Sequence, residues 1–93
     1  MAKQIKKFNT PQLDLPLTAE LLGRAIKARR TQSELRLEDA AALCGVAKDT
    51  LMKIEHGHAT CQLKSVLQVC FNLGIKLYVK PWVENEEAEN DWV

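Results

Sequence analysis

The stretch LEDAAALCGVAKDTLMKIEH, residues 37–56, decides the fold of this chain of 93 residues. Apolar residues recur at helical spacing on both sides of Gly45, which predicts two short helices joined by a tight turn. The residue that closes the first helix is often left-handed, and glycine adopts that conformation without steric cost. The small Ala41 allows the two helices to approach closely where they cross. The stretch therefore predicts a helix-turn-helix.

The same spacing separates a buried side from an exposed side. The inner faces are expected to carry the apolar residues Ala40, Cys44, Val46, Leu51 and Ile54. The outer side of the second helix is expected to carry Lys48, Asp49, Met52 and Lys53. A helix with such a side can enter the major groove of DNA. An ordinary helical hairpin with no nucleic-acid role remains the alternative.

Length and composition predict one small, helix-rich domain. Hydrophobic residues make up 46% of the chain, with three prolines and four glycines. No apolar run approaches the roughly 20 residues of a membrane-spanning helix, and the N-terminal MAKQIKKFNTP lacks an apolar signal core. We therefore expect a cytoplasmic protein without membrane contact. Because a core of this size is modest, burial is expected to continue in a homodimer.

The charges are distributed unevenly along the chain. The formal net charge is only +1. Residues 1–80 contain all 13 Lys and Arg and seven acidic residues, a net charge of +6, whereas residues 81–93 contain five acidic residues and no basic one. We expect an N-terminal basic, extended arm at 1–17, a DNA-binding and dimerisation domain at 18–80, and an acidic tail at 81–93. The basic part suits phosphate, and the tail suggests a separate role.

Cysteines and histidines are too few and too widely spaced to predict a disulfide framework or a cofactor. Three cysteines are an odd number, and we expect Cys44 and Cys70 to be packed thiols. His56, His58 and Cys61 have a spacing that could suit a metal, but no fourth ligand is evident. No nucleophile with a base and an acid, and no phosphate-binding glycine loop, is apparent. We therefore expect no metal, no cofactor and no enzymatic activity.

Helices are also predicted on both sides of the 37–56 stretch. Thr18 is a good N-cap for a first helix, whose inner stripe would be Leu21, Leu22, Ala25 and Ile26. The next two helices are predicted at about 37–44 and 48–56. Thr60 is predicted to cap a fourth helix that stops at Gly74. Its apolar face would contain Leu63, Val66, Leu67, Cys70 and Leu73.

After Gly74 the apolar period changes from helical to alternating. Ile75, Leu77 and Val79 would share one face of a strand that ends at Pro81. With no second strand in the chain, the simplest partner is the same strand of a second copy, in an antiparallel ribbon. An irregular segment packed on the fourth helix is the alternative. The predicted fold class is thus mainly all-α, with four or five helices and one C-terminal β-strand that pairs across a dimer.

Three strings, LGRAIKARR, KIEHG and LKSVLQVCFNLGIKL, resemble the Xre/Cro-type family of lambda-repressor-like helix-turn-helix proteins over about residues 22–79. The resemblance implies a structural ion pair between Arg30 and Glu55. It implies that the third helix enters the major groove, where base contacts would come from Ala47, Lys48, Asp49, Met52 and Lys53. Contacts to the sugar-phosphate backbone would come from Arg36, Thr50, His58 and Lys64. One departure is Leu37, where the family commonly has a glutamine that contacts DNA.

The two ends of the chain are similar to those of HipB-type antitoxins, which have a proline-containing arm and an acidic tail with a near-terminal tryptophan. This resemblance implies a repressor of its own operon that also binds a HipA-like Ser/Thr kinase toxin, intact or split, with Trp92 inserted into the toxin. The competing explanation is that Trp82 and Trp92 pack on the protein's own strand.

We therefore expect a homodimeric repressor that places two recognition helices about 34 to 36 Å apart on a palindromic operator of double-stranded DNA. Two alternatives stay open. One is a protein-interaction module in which the helix-turn-helix is a scaffold, and it is favoured by Leu37, Met52 and the small net charge. The other is a stand-alone phage-type repressor without a toxin partner.

Overall fold

The computed structural model describes residues 4–83, and the regular secondary structure in this range is helical. Four helices follow one another along the chain: α1 (Ala19–Gln32), α2 (Leu37–Cys44), α3 (Lys48–Glu55) and α4 (Leu63–Asn72). No strand occurs between residues 4 and 83. The prediction of a mainly α-helical domain is confirmed to that extent.

Helix α1 begins where its capping residue predicts. Thr18 has an extended backbone, and its Oγ1 accepts a hydrogen bond from the backbone N–H of Leu21 at 3.0 Å. Glu20 lies in the first turn, and Arg29 and Arg30 lie in the last. Acidic residues near the N-terminus and basic residues near the C-terminus of a helix interact favourably with its dipole. The start of α1 was therefore predictable from local signals.

Helix α2 ends at Gly45, which has the left-handed conformation with φ 72°. The N–H of Gly45 donates to the carbonyl of Ala42 at 3.2 Å, and the N–H of Val46 donates to that of Ala41 at 3.0 Å. This pair of bonds is a Schellman motif. From α4, Gln68 Nε2 also donates to the carbonyl oxygen of Cys44 at 2.7 Å. The turn between α2 and α3 is thus closed by main-chain and side-chain bonds together.

The core lies where the four helices meet. Helix α3 packs on both α1 and α2, and α2 also packs on α4. The core cluster consists of Ile26, Ala40, Ala41, Cys44, Leu51, Ile54, Val69, Cys70 and Leu73. The inner faces predicted for α2 and α3 are buried, apart from Val46, which is half-buried. In α1, Leu21 and Ile26 are buried, and Leu22 and Ala25 are half-buried.

A close approach between α1 and α3 depends on Gly23, which the sequence did not single out. A Cβ at Gly23 would lie 2.6 Å from the carbonyl oxygens of both Ile54 and Glu55. Backbone atoms cannot move aside as a flexible side chain can, so only glycine fits at this crossing without displacing one of the helices. The crossing of α1 over α3 therefore requires a residue without a Cβ at position 23.

Helix α4 differs from the prediction at its start and in its orientation. Thr60 is not the N-cap: Gln62 precedes the first helical residue, and no side chain caps it. Leu63 and Leu67, predicted to be buried, are 69% and 45% exposed, whereas Val69 is fully buried. At 3.6 residues per turn, the row Leu63, Leu67 and Phe71 lies roughly 100° around the helix from the buried face. The exposed row and the buried face are both apolar, so the spacing of apolar residues alone could not show which of them would be buried.

Residues 73–83, which follow α4, contain no helix or strand. Gly74 is left-handed, and the N–H of Ile75 donates to the carbonyl of Cys70 at 2.8 Å. No further backbone-to-backbone hydrogen bond is made by residues 76–83 within the range 4–83. The predicted strand is not confirmed in the single chain. Because its predicted partner is a second copy, the strand stays a prediction.

The N-terminal arm is attached to the C-terminal end of α1. The N–H of Phe8 donates to Thr31 Oγ1 at 3.0 Å, and Gln32 Nε2 donates to the carbonyl of Phe8 at 2.7 Å. The Phe8 ring lies under the ammonium group of Lys27, 4.2 Å from the ring centroid, which is the geometry of a cation–π contact. The side of α1 that faces the arm is thus partly covered by this extended segment.

Candidate functional site

Helix α3 presents one exposed and one buried side. Leu51, Ile54 and Glu55 are buried. The exposed residues are Lys48, Asp49, Met52 and Lys53. We call these four residues the α3 outer face. It is the largest part of the predicted site that the structure places on a single helix.

The α3 outer face carries an internal ion pair. Lys53 Nζ lies 3.1 Å from Asp49 Oδ2, with the two side chains 49% and 64% exposed. Such an exposed pair one helical turn apart contributes only about 0.3 to 0.5 kcal/mol, so a competing partner can separate it. Lys48 makes no ion pair with the carboxylates of residues 4–83. It is therefore the cation on this face that is available without breaking a contact.

A buried ion pair holds the end of α3 against α1. Arg30 Nε donates to Glu55 Oε2 at 2.6 Å, and its Nη2 donates to Oε1 at 3.0 Å. Arg30 Nη1 also donates to the carbonyl of Leu35 at 2.8 Å. The Arg30 and Glu55 side chains are only 9% and 4% exposed. The guanidinium thus joins α1, α3 and the loop before α2.

The other predicted contact residues lie around the α3 outer face or on neighbouring elements. Arg36 and Ala47 are exposed and directly precede α2 and α3. Thr50 is half-buried, and Lys64 is exposed in the first turn of α4. The exposed His58 follows α3 and lines a hollow next to the start of α1. The predicted contacts are thus distributed over helix ends and one helical face.

The departure at Leu37 has a packing explanation. Leu37 is half-buried and packs against the core cluster from the first position of α2. An apolar side chain there adds to the core, while Arg36 is exposed directly before α2 and the acidic Glu38 and Asp39 are exposed in its first turn. The position therefore supplies burial where the resembling family commonly has a polar contact.

All three cysteines are free thiols, and two of them are buried in the core. Burial raises the pKa of the Cys44 thiol. Burial, with a smaller contribution from the neighbouring Cys44, raises the pKa of Cys70 to about 11. A raised pKa keeps a thiol protonated and unreactive at neutral pH. Cys44 and Cys70 are therefore packing residues, whereas Cys61 is half-buried at the end of the turn after α3.

Metal and membrane sites are not found in the described part of the chain. His56 and His58 have ring centroids 6.3 Å apart, but no group of three or more His, Cys, Asp or Glu in residues 4–83 could hold a metal ion. None of the four helices has the length and apolar character required to cross a membrane.

Three residues with clear roles were missed by sequence reasoning. Gly23 allows α1 and α3 to touch, Gln68 caps the end of α2, and Phe8 attaches the arm to α1. A glycine inside a helical pattern often has a packing reason, and that signal could have identified Gly23. For Gln68 and Phe8 no local signal exists, because their partners lie 24 and 23 residues away in sequence.

These contacts define a small all-helical domain in which a short helix, α3, is fixed at its end by an ion pair and exposes a face of mixed charge. No model of a known protein family matches the chain, and no curated protein matches its sequence.

Proposed function

We propose that this protein is a sequence-specific, DNA-binding transcriptional repressor of the helix-turn-helix type. The observation that carries the proposal is the α3 outer face, which consists of exposed polar and flexible side chains on a helix whose opposite face is buried. A recognition helix needs one exposed and one buried face, since it must present side chains to base edges while contacts with the rest of the domain hold it in position. Helix α2 would lie across the sugar-phosphate backbone.

The chemistry of the α3 outer face suits base edges. Lys48 can donate to O6 and N7 of guanine, and Asp49 can accept from N4 of cytosine once its pair with Lys53 has separated. Met52 and Ala47 can contact a thymine methyl group. Lys53, released from Asp49, can donate to a further base or to a phosphate. This assignment makes Lys48 the main determinant of sequence preference.

The remaining candidate contacts surround this face with groups that suit phosphate. Arg36 and Lys64 are exposed cations, and His58 and Thr50 can donate hydrogen bonds. Residues 1–80 carry a net charge of +6, which favours a polyanion although the whole chain is nearly neutral. The backbone contacts would position α3 and contribute little to sequence preference.

The repressor is proposed to act as a homodimer on a palindromic operator. Ile75, Leu77 and Val79 would pair with the same residues of a second copy, which would satisfy the main-chain groups of a segment that has few partners in the single chain. A two-fold axis between the copies would set the two α3 helices about one turn of DNA apart, or about 34 to 36 Å.

We further propose that the protein is the antitoxin of a type II toxin-antitoxin system in the cytoplasm, and that its partner is a HipA-like Ser/Thr kinase toxin, intact or split. This part is supported by the resemblance of both chain ends and by the five acidic residues between positions 81 and 93. Trp92, the proposed anchor in the toxin, lies outside the described residues. A large aromatic residue in an acidic segment is suited to anchoring in a partner's pocket.

The salt dependence of binding to the DNA upstream of the protein's own reading frame tests the repressor proposal. We expect the logarithm of the binding constant to fall linearly with the logarithm of salt concentration, with a slope of about −0.9 for each phosphate neutralised. The unlabelled upstream fragment should compete better than scrambled DNA of the same length and composition. Binding that is independent of salt, or no preference for the upstream fragment, would exclude this function.

Replacing Lys48 tests the base-reading role within that function. Lys48→Ala should weaken binding to the cognate site by about 1 to 3 kcal/mol and relax the preference at one base pair. Arg24→Ala removes one exposed positive charge from α1, to which no DNA contact is assigned, and is the matched control, with an expected small and sequence-independent effect. If Lys48→Ala weakens binding equally on cognate and scrambled DNA, Lys48 contacts phosphate and the base-reading assignment is wrong.

A protein-interaction module in which α2 and α3 are a scaffold is the second candidate. It is favoured by exposed apolar side chains outside the core: Leu43, Leu63 and Phe71 are 55%, 69% and 82% exposed. Single exposed apolar residues are common, but Leu63 and Phe71 belong to one row on α4. A DNA affinity that does not change with salt concentration, together with loss of partner binding in Phe71→Ala, would favour this candidate over the repressor.

A further inference from the structure

An open apolar groove lies on the opposite side of α1 from the crossing of Gly23 with α3. It has a volume of about 560 Å³ and is lined by the arm, by α1 and by residues 74–78. The arm contributes Leu13, Leu15 and Leu17, which are 63%, 49% and 61% exposed in the single chain. These three exposed leucines form a continuous apolar surface around the groove, and such a surface is typical of an interaction site.

The segment that leaves this groove carries large apolar side chains with few contacts. Tyr78, Val79 and Trp82 are 84%, 85% and 75% exposed. The same segment has main-chain groups without backbone partners in residues 4–83. An apolar groove and an apolar, unpaired segment therefore lie next to each other on the same chain.

We propose that the groove of each copy receives Trp82 of a second copy. This inference rests on the proposed homodimer and adds to it a reciprocal exchange of tryptophans between the two protomers. The groove is large enough, since pockets that enclose a small-molecule ligand measure about 300 to 1,000 Å³. The exchange gives the arm leucines a role in assembly.

Strand geometry brings Trp82 to the groove of the partner. In an antiparallel ribbon with a two-fold axis, two residues that lie opposite each other on the two strands have residue numbers that add up to the same value for every such pair. An axis at residue 78 places residue 82 of one copy opposite residue 74 of the other, and an axis at residue 77 places it opposite residue 72. Gly74 is one of the groove residues. An axis at residue 78 therefore carries Trp82 to the mouth of the partner's groove, whereas Asn72 belongs to α4 and does not line it.

Arg29 offers a flat contact surface for an indole at that position. Its Nε donates to the carbonyl of Leu73 at 2.8 Å, which restrains the guanidinium, and a Cβ on Gly74 would lie 3.1 Å from its Nη2. The guanidinium thus lies beside residue 74, where glycine has no side chain to cover it. A guanidinium next to the face of tryptophan makes a favourable cation–π contact, and tryptophan is the best aromatic partner.

The energetics of a small dimer also call for contacts beyond the ribbon. A two-stranded ribbon is marginally stable by itself in water. Each buried tryptophan removes about 150 to 250 Å² of its own surface from water. Stable interfaces bury about 1,200 to 2,000 Å² in total, so two tryptophans and the two grooves that receive them supply much of the area that the strands lack.

Complementary substitutions in separate copies test the exchange. Leu15→Glu places a carboxylate in the groove, and Trp82→Lys replaces the indole by an ammonium group. Each variant alone should weaken its homodimer by at least about 30-fold, or about 2 kcal/mol, in sedimentation equilibrium. A mixture of the two should form a heterodimer, because one groove then pairs the introduced carboxylate with the introduced ammonium group while the other retains the native leucine and tryptophan. Phe71→Ala, which truncates an exposed aromatic side chain on α4, is the control and should leave dimerisation unchanged.

The outcomes separate this inference from the proposed function. If the wild-type protein is a dimer and neither variant weakens it, the exchange is wrong while the homodimer stands. If both variants weaken the dimer but the mixture does not restore it, Trp82 does not contact the groove of the other copy. If the wild-type protein is a monomer at micromolar concentration, the proposed homodimer fails and the exchange fails with it.

Trp82 fluorescence provides a second measurement that does not depend on the groove variants. In Trp92→Phe, the emission of Trp82 reports its own surroundings, since the chain has only two tryptophans. We expect the emission to shift to shorter wavelength as protein concentration rises through the dimer dissociation constant. An emission maximum typical of water at concentrations where the protein is dimeric would overturn the inference.

Discussion

Replacing Arg30 by alanine should destabilise the domain far more than the loss of an exposed charge. The change removes the two hydrogen bonds to the Glu55 carboxylate, at 2.6 and 3.0 Å, and the bond to the carbonyl of Leu35 at 2.8 Å. Glu55, whose side chain is 4% exposed, would then be a buried carboxylate without a cation. An uncompensated buried charge is the main reason why breaking such a pair is costly.

The magnitude follows from this geometry. Removing one partner of a buried ion pair costs about 3 to 5 kcal/mol, and the lost bond to Leu35 adds about 1 kcal/mol. A domain of this length has a total free energy of unfolding of about 5 to 14 kcal/mol. Arg30→Ala should therefore remove a large part of the stability, and the midpoint of thermal unfolding should fall by at least about 15 °C.

Two further variants identify the cause. Denaturant unfolding followed by far-UV circular dichroism gives the free energy of unfolding for each protein. Arg24→Ala, which removes an exposed arginine from the same helix, should cost less than about 0.5 kcal/mol. The double replacement Arg30→Met with Glu55→Leu removes both charges and should lie within about 2 kcal/mol of the wild type. If the double variant is as unstable as Arg30→Ala, the orphaned carboxylate is not the cause and the reasoning is refuted.

Three other changes have defined outcomes. Gly23→Ala should destabilise the domain by about 1 to 3 kcal/mol, because its Cβ meets two backbone oxygens at 2.6 Å; an unchanged unfolding midpoint would show that α1 and α3 can separate at no cost. Burial raises the pKa of Cys70 from 9.0 to about 11, so its stabilising contribution is complete below pH 9 and is lost as pH rises to 11. The free energy of unfolding should fall by about 2 kcal/mol over that range because of Cys70, and Cys70→Ala but not Cys61→Ala should remove that part of the fall, while the Cys44 thiol, whose pKa is also raised by burial, keeps its own contribution. Deletion of residues 84–93 should leave DNA binding intact and weaken binding of the proposed toxin partner; unchanged toxin affinity would exclude the anchor role of Trp92.

Local signals account for most of what could be predicted. The N-cap at Thr18, the glycine at position 45 and the apolar spacing within 37–56 each act over a few residues. The start of α1 and the bounds of α2 and α3 therefore agree with expectation to within a residue, whereas α1 runs on to Gln32, two residues past the ARR string at which it was expected to end. The exposed residues of the candidate site could be predicted in the same way, because the apolar residues of a short helix show which of its sides is buried and which is exposed.

Predictions were weaker where the local sequence allowed two similar arrangements, such as two possible buried faces of one helix. Helix α4 has two adjacent apolar rows, and the one containing Val69 was buried while the row of Leu63 and Leu67 stayed exposed. The choice was made by the surface of α2 against which α4 packs and by the core that the two helices share. The N-cap of α4 was also mispredicted, because Thr60 belongs to the turn that connects α3 to α4.

The sequence by itself determined the helical class of this protein, the closure of the α2 helix at Gly45 and the division of α3 into a buried and an exposed side. These depend on backbone conformation and on apolar spacing, which are properties of neighbouring residues. The tertiary structure alone decided that Gly23 must be small, that Gln68 caps α2, that the arm lies along α1 and that a groove opens beside residues 74–78. Each of these depends on surfaces that meet only after distant parts of the chain have packed together.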